Sequence, residues 1–124
     1  MYLLDTHVIL WWLTDPQKLS IKGHQIMADR NNVIYVSSIS FWEMSIKSSL
    51  GRLSLPHNIL TILQADGFKT LPLIPEESLS VIDLPKLHQD PFDRILIAQA
   101  KYNNFILITR DEKILEYPIA TLTA

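Results

Sequence analysis

Phe105-Ile106-Leu107-Ile108-Thr109-Arg110-Asp111 is the stretch on which the fold turns. Four apolar residues in a row, followed at once by polar ones, are too short for a helix and suit a strand buried on both faces. A Thr-Arg link then leads to an acid. In parallel sheets, ligands gather beyond the carboxyl ends of the strands, so Asp111 falls where sites are built. The chain opens in the same way, with Tyr2-Leu3-Leu4 running straight into Asp5. A third such run is Val33-Ile34-Tyr35-Val36.

Helical patterns alternate with these runs. Residues 8–13 read as a helix stopped by Asp15-Pro16, and Ser20 as the N-cap of a helix through Arg30. Ser38 or Ser40 caps a helix carrying Phe41, Glu43 and Lys47 that ends near Gly51. Helices are expected over residues 57–66 and 76–83, with a short strand at 69–73 between them. Pro91 suits the first turn of a long helix to about Asn103. A helical turn at 111–116 and a strand at 119–122 complete the chain. This alternation predicts an α/β fold with a buried, mainly parallel sheet.

The chain has 124 residues, 48% of them hydrophobic, which points to one domain over residues 1–124 with a real core. The formal net charge is −2, so nothing resembles a basic nucleic-acid tail, although a local patch is compatible with that total. With no cysteine, thiolate zinc sites and cysteine nucleophiles are excluded. No basic leader precedes an apolar stretch, and every apolar run falls short of the ~20 residues that span a bilayer. The expectation is a cytoplasmic protein.

Four acids border apolar runs: Asp5, Glu43, Asp93 and Asp111. Such placement is costly unless the acids converge on positive charge, and a hard divalent cation is the usual partner. Each also has an ordinary explanation. Asp5 and Asp111 suit helix N-caps, Glu43 an i,i+4 pair with Lys47, and Asp93 the first turn of a helix, where the dipole favours a carboxylate. Asp90, directly before Pro91, reads mainly as an N-cap. His24, His57 and His88 show no zinc spacing, and three glycines make no phosphate loop. Trp11, Trp12, Phe41 and Trp42 read as core and interface.

The ordered set Leu-Leu-Asp5-Thr-His, Ser38-Ile-Ser-Phe-Trp-Glu43, Asp90-Pro-Phe-Asp93-Arg-Ile-Leu-Ile-Ala-Gln-Ala and Ile108-Thr-Arg-Asp111 resembles the PIN-domain family, most closely its VapC-type toxins. The resemblance covers essentially the whole chain. It implies a three-layer α/β/α sandwich and an Mg²⁺- or Mn²⁺-dependent endoribonuclease of a type II toxin–antitoxin pair. Carried over, the family's acids fall on Asp5, Glu43, Asp93 and Asp111. Asp5 and Asp93 are the expected metal ligands, with Glu43 and Asp111 acting directly or through water. Asp93, rather than Asp90, stands at the family's spacing from Ala98-Gln99-Ala100. Raised carboxylate pKa values are expected in the metal-free protein. Arg94, Arg110, Lys47, Lys113 and Thr6 are the candidates for contacting RNA. The resemblance also implies an antitoxin covering apolar surface around Trp11, Trp12, Phe41, Trp42 and Leu50, and a homodimer. A PIN nuclease of RNA processing or decay, or a PIN module that only binds RNA or protein, are the alternatives.

Overall fold

A computed structural model describes residues 1–124. Its centre is a wholly parallel sheet of β1 (Tyr2–Leu4), β2 (Ile34–Ser37), β3 (Lys69–Leu71), β4 (Ile106–Thr109) and β5 (Thr121–Thr123), in the order β3-β2-β1-β4-β5. Leu3 lies beside Tyr35 on one side and Leu107 on the other. The helices are α1 (Thr6–Thr14), α2 (Ile21–Ala28), α3 (Ser38–Ser49), α4 (Ile59–Ala65), α5 (Pro75–Ser80), α6 (Pro91–Asn103) and α7 (Glu112–Leu115).

Strand side chains alternate between faces, and this alternation builds two cores. Leu4, Ile34, Val36 and Ile108 meet Val8 and Ile9 of α1, Met27 of α2, Met44 of α3 and Leu63 of α4. Leu3 and Leu107 meet Leu96, Ile97 and Ala100 of α6 and Ile114 of α7 on the opposite face. The result is the expected α/β/α sandwich. Both faces being covered is why the inner strands β1, β2 and β4 read as nearly unbroken apolar runs.

Several boundaries differ from the sequence reading. Ser37, not Ser38 or Ser40, caps α3: its hydroxyl accepts the Ile39 N–H at 3.1 Å. Strand β2 thus passes into α3 with no loop, and the same serine ends one element and starts the next. Helix α2 stops at Ala28, and the Asp29 carboxylate turns the chain by accepting the Asn31 N–H at 2.9 Å. Strand β3 stops at Leu71, because Pro72 has no N–H to continue the ladder.

The chain lays β2 and β3 on one side of β1, then crosses to lay β4 and β5 on the other. The carboxyl ends of β1 and β4 therefore flank the point where the winding reverses, the place where open α/β sheets bind ligands. Asp5 and the residues after Thr109 emerge there, and the Asp5 N–H is still tied to the Ile108 carbonyl at 3.0 Å.

Candidate active site

Asp5 occupies the N-cap position of α1, yet its side chain makes no capping bond. Its carboxylate turns instead towards β4, where the Thr109 hydroxyl donates to Oδ2 at 2.8 Å. The same hydroxyl accepts the Asp111 N–H at 3.0 Å, so one threonine ties both strand-end acids together. The residue is only 3% exposed, and its other oxygen, Oδ1, is buried with no hydrogen-bond partner.

Glu43 is equally buried, on the inward side of α3. Thr6 at the start of α1 donates to its Oε1 at 2.8 Å and Lys47 to its Oε2, also at 2.8 Å. The ordinary i,i+4 pair is real, and it sits inside the acid cluster. Asp93 enters from the first turn of α6 and Asp111 from the turn before α7. Asp111 does cap its helix: Oδ1 accepts the Lys113 and Ile114 N–H groups at 2.9 and 3.4 Å. Its Oδ2 is not used in the cap and faces the cluster, 3.1 Å from His88 Nε2. Asp90 is the N-cap of α6, accepting from Phe92 N at 2.9 Å and Asp93 N at 3.4 Å.

The electrostatics follow from burial and mutual repulsion. Burial raises the Asp5 carboxyl above its ordinary value, and the charges of Asp111 and Glu43 add to that despite the Thr109 bond and nearby His7. Asp93 is pushed up to about 8 by burial, then by Asp5, Asp90, Glu43 and Asp111. Asp111 departs from the expectation that the acids rise. Burial acts upward on it too, but bonds from His88, Lys113 and Ile114 outweigh burial and hold it below the usual carboxylate range.

His88 is the residue that spacing rules missed. Its Nε2 lies 2.9 Å from Asp93 Oδ2 and 3.1 Å from Asp111 Oδ2. The donor atoms of this trio fall within 4.8 Å of one another. A zinc-type spacing search could not find it, because only the short distance along the chain to Asp93 was local.

The candidate RNA contacts are more engaged than the sequence suggested. Thr6 is buried against Glu43 and Ser40 rather than facing solvent. Lys47 is the partner of Glu43. The Arg94 guanidinium reaches the Pro85 carbonyl at 3.0 Å, Tyr117 Oη at 3.2 Å and the Val81 carbonyl at 3.3 Å. Arg110 lies over the Trp11 ring at 4.9 Å and donates to the Lys18 and Ala124 carbonyls. Lys113 is exposed.

A cleft of about 190 Å³ lined by Asp5, His7, Trp11, Arg110 and Asp111 opens onto the acids. His88 also lines a neighbouring cleft with Lys86, Gln89 and Arg94. Larger hollows of about 550 and 410 Å³ lie elsewhere, by the start of α2 and the end of α6, and hold no acid cluster. A partnerless, nine-tenths buried carboxylate oxygen beside a second acid that resists ionisation is a site short of positive charge. A hard divalent cation fits that donor set, which is oxygen-rich and carboxylate-based.

A doubly wound α/β protein with a cation-fitting acidic cleft at the switch point of its sheet is the class these features define. The PIN domain model matches residues 2–120, and the chain belongs to the PIN-domain family. It is 30% identical over 115 residues to Ribonuclease VapC22 of Mycobacterium tuberculosis, covering 90% of this chain and 88% of that protein. The fold is similar to VapBC2 from Rickettsia felis bound to a promoter DNA fragment, with a TM-score of 0.73 at 16% identity over 98% of this chain and 96% of that one. It is also similar to DNA-bound VapBC from Salmonella typhimurium, with a TM-score of 0.69 at 13% identity over 98% and 96% of the two chains.

Proposed function

We propose that this chain is a metal-dependent endoribonuclease, the toxin of a type II toxin–antitoxin pair, hydrolysing RNA phosphodiester bonds. The observation that carries the reading is the buried, unpartnered Asp5 Oδ1 within a cluster of four acids at the sheet's switch point. Kinship with a protein named as a ribonuclease supports the choice of substrate.

Asp5 and Asp93 would hold the cation, with Glu43 and Asp111 completing the cluster directly or through water. Mg²⁺ or Mn²⁺ is the choice that suits carboxylate ligands and a phosphate substrate. Bound there, it would supply Lewis-acid activation of water and neutralise charge developing on the scissile phosphate. The chain's own groups set the stage. Thr109 turns Asp5 so that Oδ1 stays open, while Thr6 and Lys47 hold Glu43 in one orientation. His7 and the Arg110–Trp11 pair border the cleft where the RNA backbone would lie. Unstacked RNA is the favoured substrate, because a strand must present its phosphate to a recessed acid floor.

An antitoxin is the proposed protein partner, covering the acid cleft and nearby apolar surface. Of the aromatic and leucine residues suggested for that surface, Trp42 and Leu50 are exposed, at 58% and 61%. Trp11, Trp12 and Phe41 instead pack against the core. A homodimer is proposed as the working assembly. No helix is long and apolar enough to cross a membrane, and a cytoplasmic setting is proposed.

Purified protein with Mg²⁺ or Mn²⁺ should cleave RNA, and EDTA should stop it. Asp5→Asn and Asp93→Asn should each lose at least ~100-fold in cleavage, the upper end of what losing a supporting partner alone costs, with circular dichroism unchanged. Cleavage that survives EDTA, or both substitutions, would reject the site. Toxicity on expression, relieved by the product of a neighbouring small gene, would separate a toxin from an RNA-processing nuclease.

A further inference from the structure

His88 makes hydrogen bonds whose directions are fixed by its partners. The backbone N–H of Asp90 lies 3.2 Å from Nδ1, and an amide N–H can only donate. Nδ1 is therefore an acceptor and carries no proton. The ring's proton sits on Nε2, the nitrogen between Asp93 Oδ2 and Asp111 Oδ2 at 2.9 and 3.1 Å. One N–H is shared by two carboxylates, and neither ring nitrogen presents a free lone pair to the cleft. Although His88, Asp93 and Asp111 cluster as a metal centre would, the histidine is oriented as a donor to the acids rather than as a ligand.

The segment carrying this ring is pinned. The His88 backbone N–H donates to Tyr117 Oη at 2.8 Å, and the same oxygen accepts from Arg94 Nη1 at 3.2 Å. Arg94 also holds the Pro85 and Val81 carbonyls, so one guanidinium from α6 anchors the approach to His88. Tyr117 is 3% exposed, which makes this anchor part of the packed interior.

We propose that His88 is a positioning residue: its Nε2–H holds the carboxylates of Asp93 and Asp111 side by side, presenting them to a cation without ligating it. The proposal rests on the reading of these acids as a metal site. It assigns Arg94 and Tyr117 to the same task one step further out. Partners that orient ligating groups typically set metal affinity or activity by 10- to 100-fold.

Nitrogen-15 NMR of the metal-free protein should show His88 with a pyrrole-type Nε2 and a pyridine-type Nδ1. The reverse pattern would overturn the proposal. Mn²⁺ binding, followed by titration calorimetry without RNA, should weaken about tenfold in His88→Ala, whereas His88→Gln, which can extend an amide N–H to a similar position, should stay within about threefold of wild type. Equal loss in Ala and Gln would mean that the imidazole is a ligand, and no loss in Ala would mean that the ring only packs. Either result overturns the proposal. Tyr117→Phe, which leaves the ring in place but frees its segment, should weaken Mn²⁺ binding in the same direction and by less. The NMR and Mn²⁺ readouts need no RNA, so they stand apart from the Asp5→Asn cleavage assay that tests the nuclease reading.

Discussion

At the residue scale, Asp93 couples the site to stability. Its carboxyl is pushed from 3.8 to about 8, so the native state keeps a proton that the unfolded chain releases near pH 4. Where the native state binds more protons, stability falls as pH rises. The contribution is complete below about pH 4, shrinks through the interval, and is gone above about pH 8. Each unit of pH across that window weighs at most about 1.4 kcal/mol. Partial solvent access to Asp93 screens the effect, so the total falls well short of that limit. Asp5 is raised as well and acts in the same sense, whereas Asp111 is lowered, so its contribution is already complete above about pH 4 and is lost only as pH falls below that. In EDTA, urea unfolding of the wild type should therefore lose stability between pH 5 and 8 relative to Asp93→Asn, whose amide has no proton to lose. Parallel pH curves for the two proteins would show that Asp93 ionises normally.

At the scale of elements, the three acids that can cap helices separate by use. Asp90 puts its carboxylate on the α6 N–H groups, Asp111 divides its two oxygens between α7 and the cluster, and Asp5 caps nothing. Asp90→Ala should cost about 1 kcal/mol, the usual loss for an N-cap, and Asp90→Ser should recover most of it; chemical denaturation reads both. Because the Asp90 carboxylate also accepts the Asp93 N–H, the alanine variant should lower cleavage as well, by less than Asp93→Asn does. Sequence patterns reached β1, β4 and α6 because each combines an apolar run with a sharp chemical boundary: Asp5, Asp111 and the Asp90-Pro91 pair. The start of α3 was harder. Ser37, Ser38 and Ser40 are all good caps by type, and only the length of β2 selects the first. Glu77 and Gln99 gave no signal at all. They are 2% and 0% exposed, and the Gln99 amide donates to Glu77 at 3.2 Å across 22 residues of chain. Such a buried polar link depends on how α5 meets α6, which no local pattern encodes.

On the scale of the whole molecule, the site has no local existence. Asp5 leaves β1, Glu43 lies in α3, Asp93 in α6, and Asp111 follows β4, and the contact of His88 with Asp111 spans 23 residues. The order of acids along the chain was legible, whereas their convergence, and the histidine among them, required the sheet order that sets β1 beside β4. Two cores on opposite faces hold that order against the repulsion of the acids. A cation that binds only the folded arrangement must then stabilise the entire fold. At a hundred times its dissociation constant the gain is about 2.7 kcal/mol, a rise in Tm of about 10 °C for a domain of this size. Cation and proton compete for Asp93, so the gain from Mn²⁺ should be larger at pH 8 than at pH 6. The Asp5→Asn/Asp93→Asn double variant should show no Mn²⁺-dependent rise at either pH. Thermal unfolding with and without Mn²⁺ at the two pH values checks all of this. An equal rise in the double variant would place the cation elsewhere on the molecule.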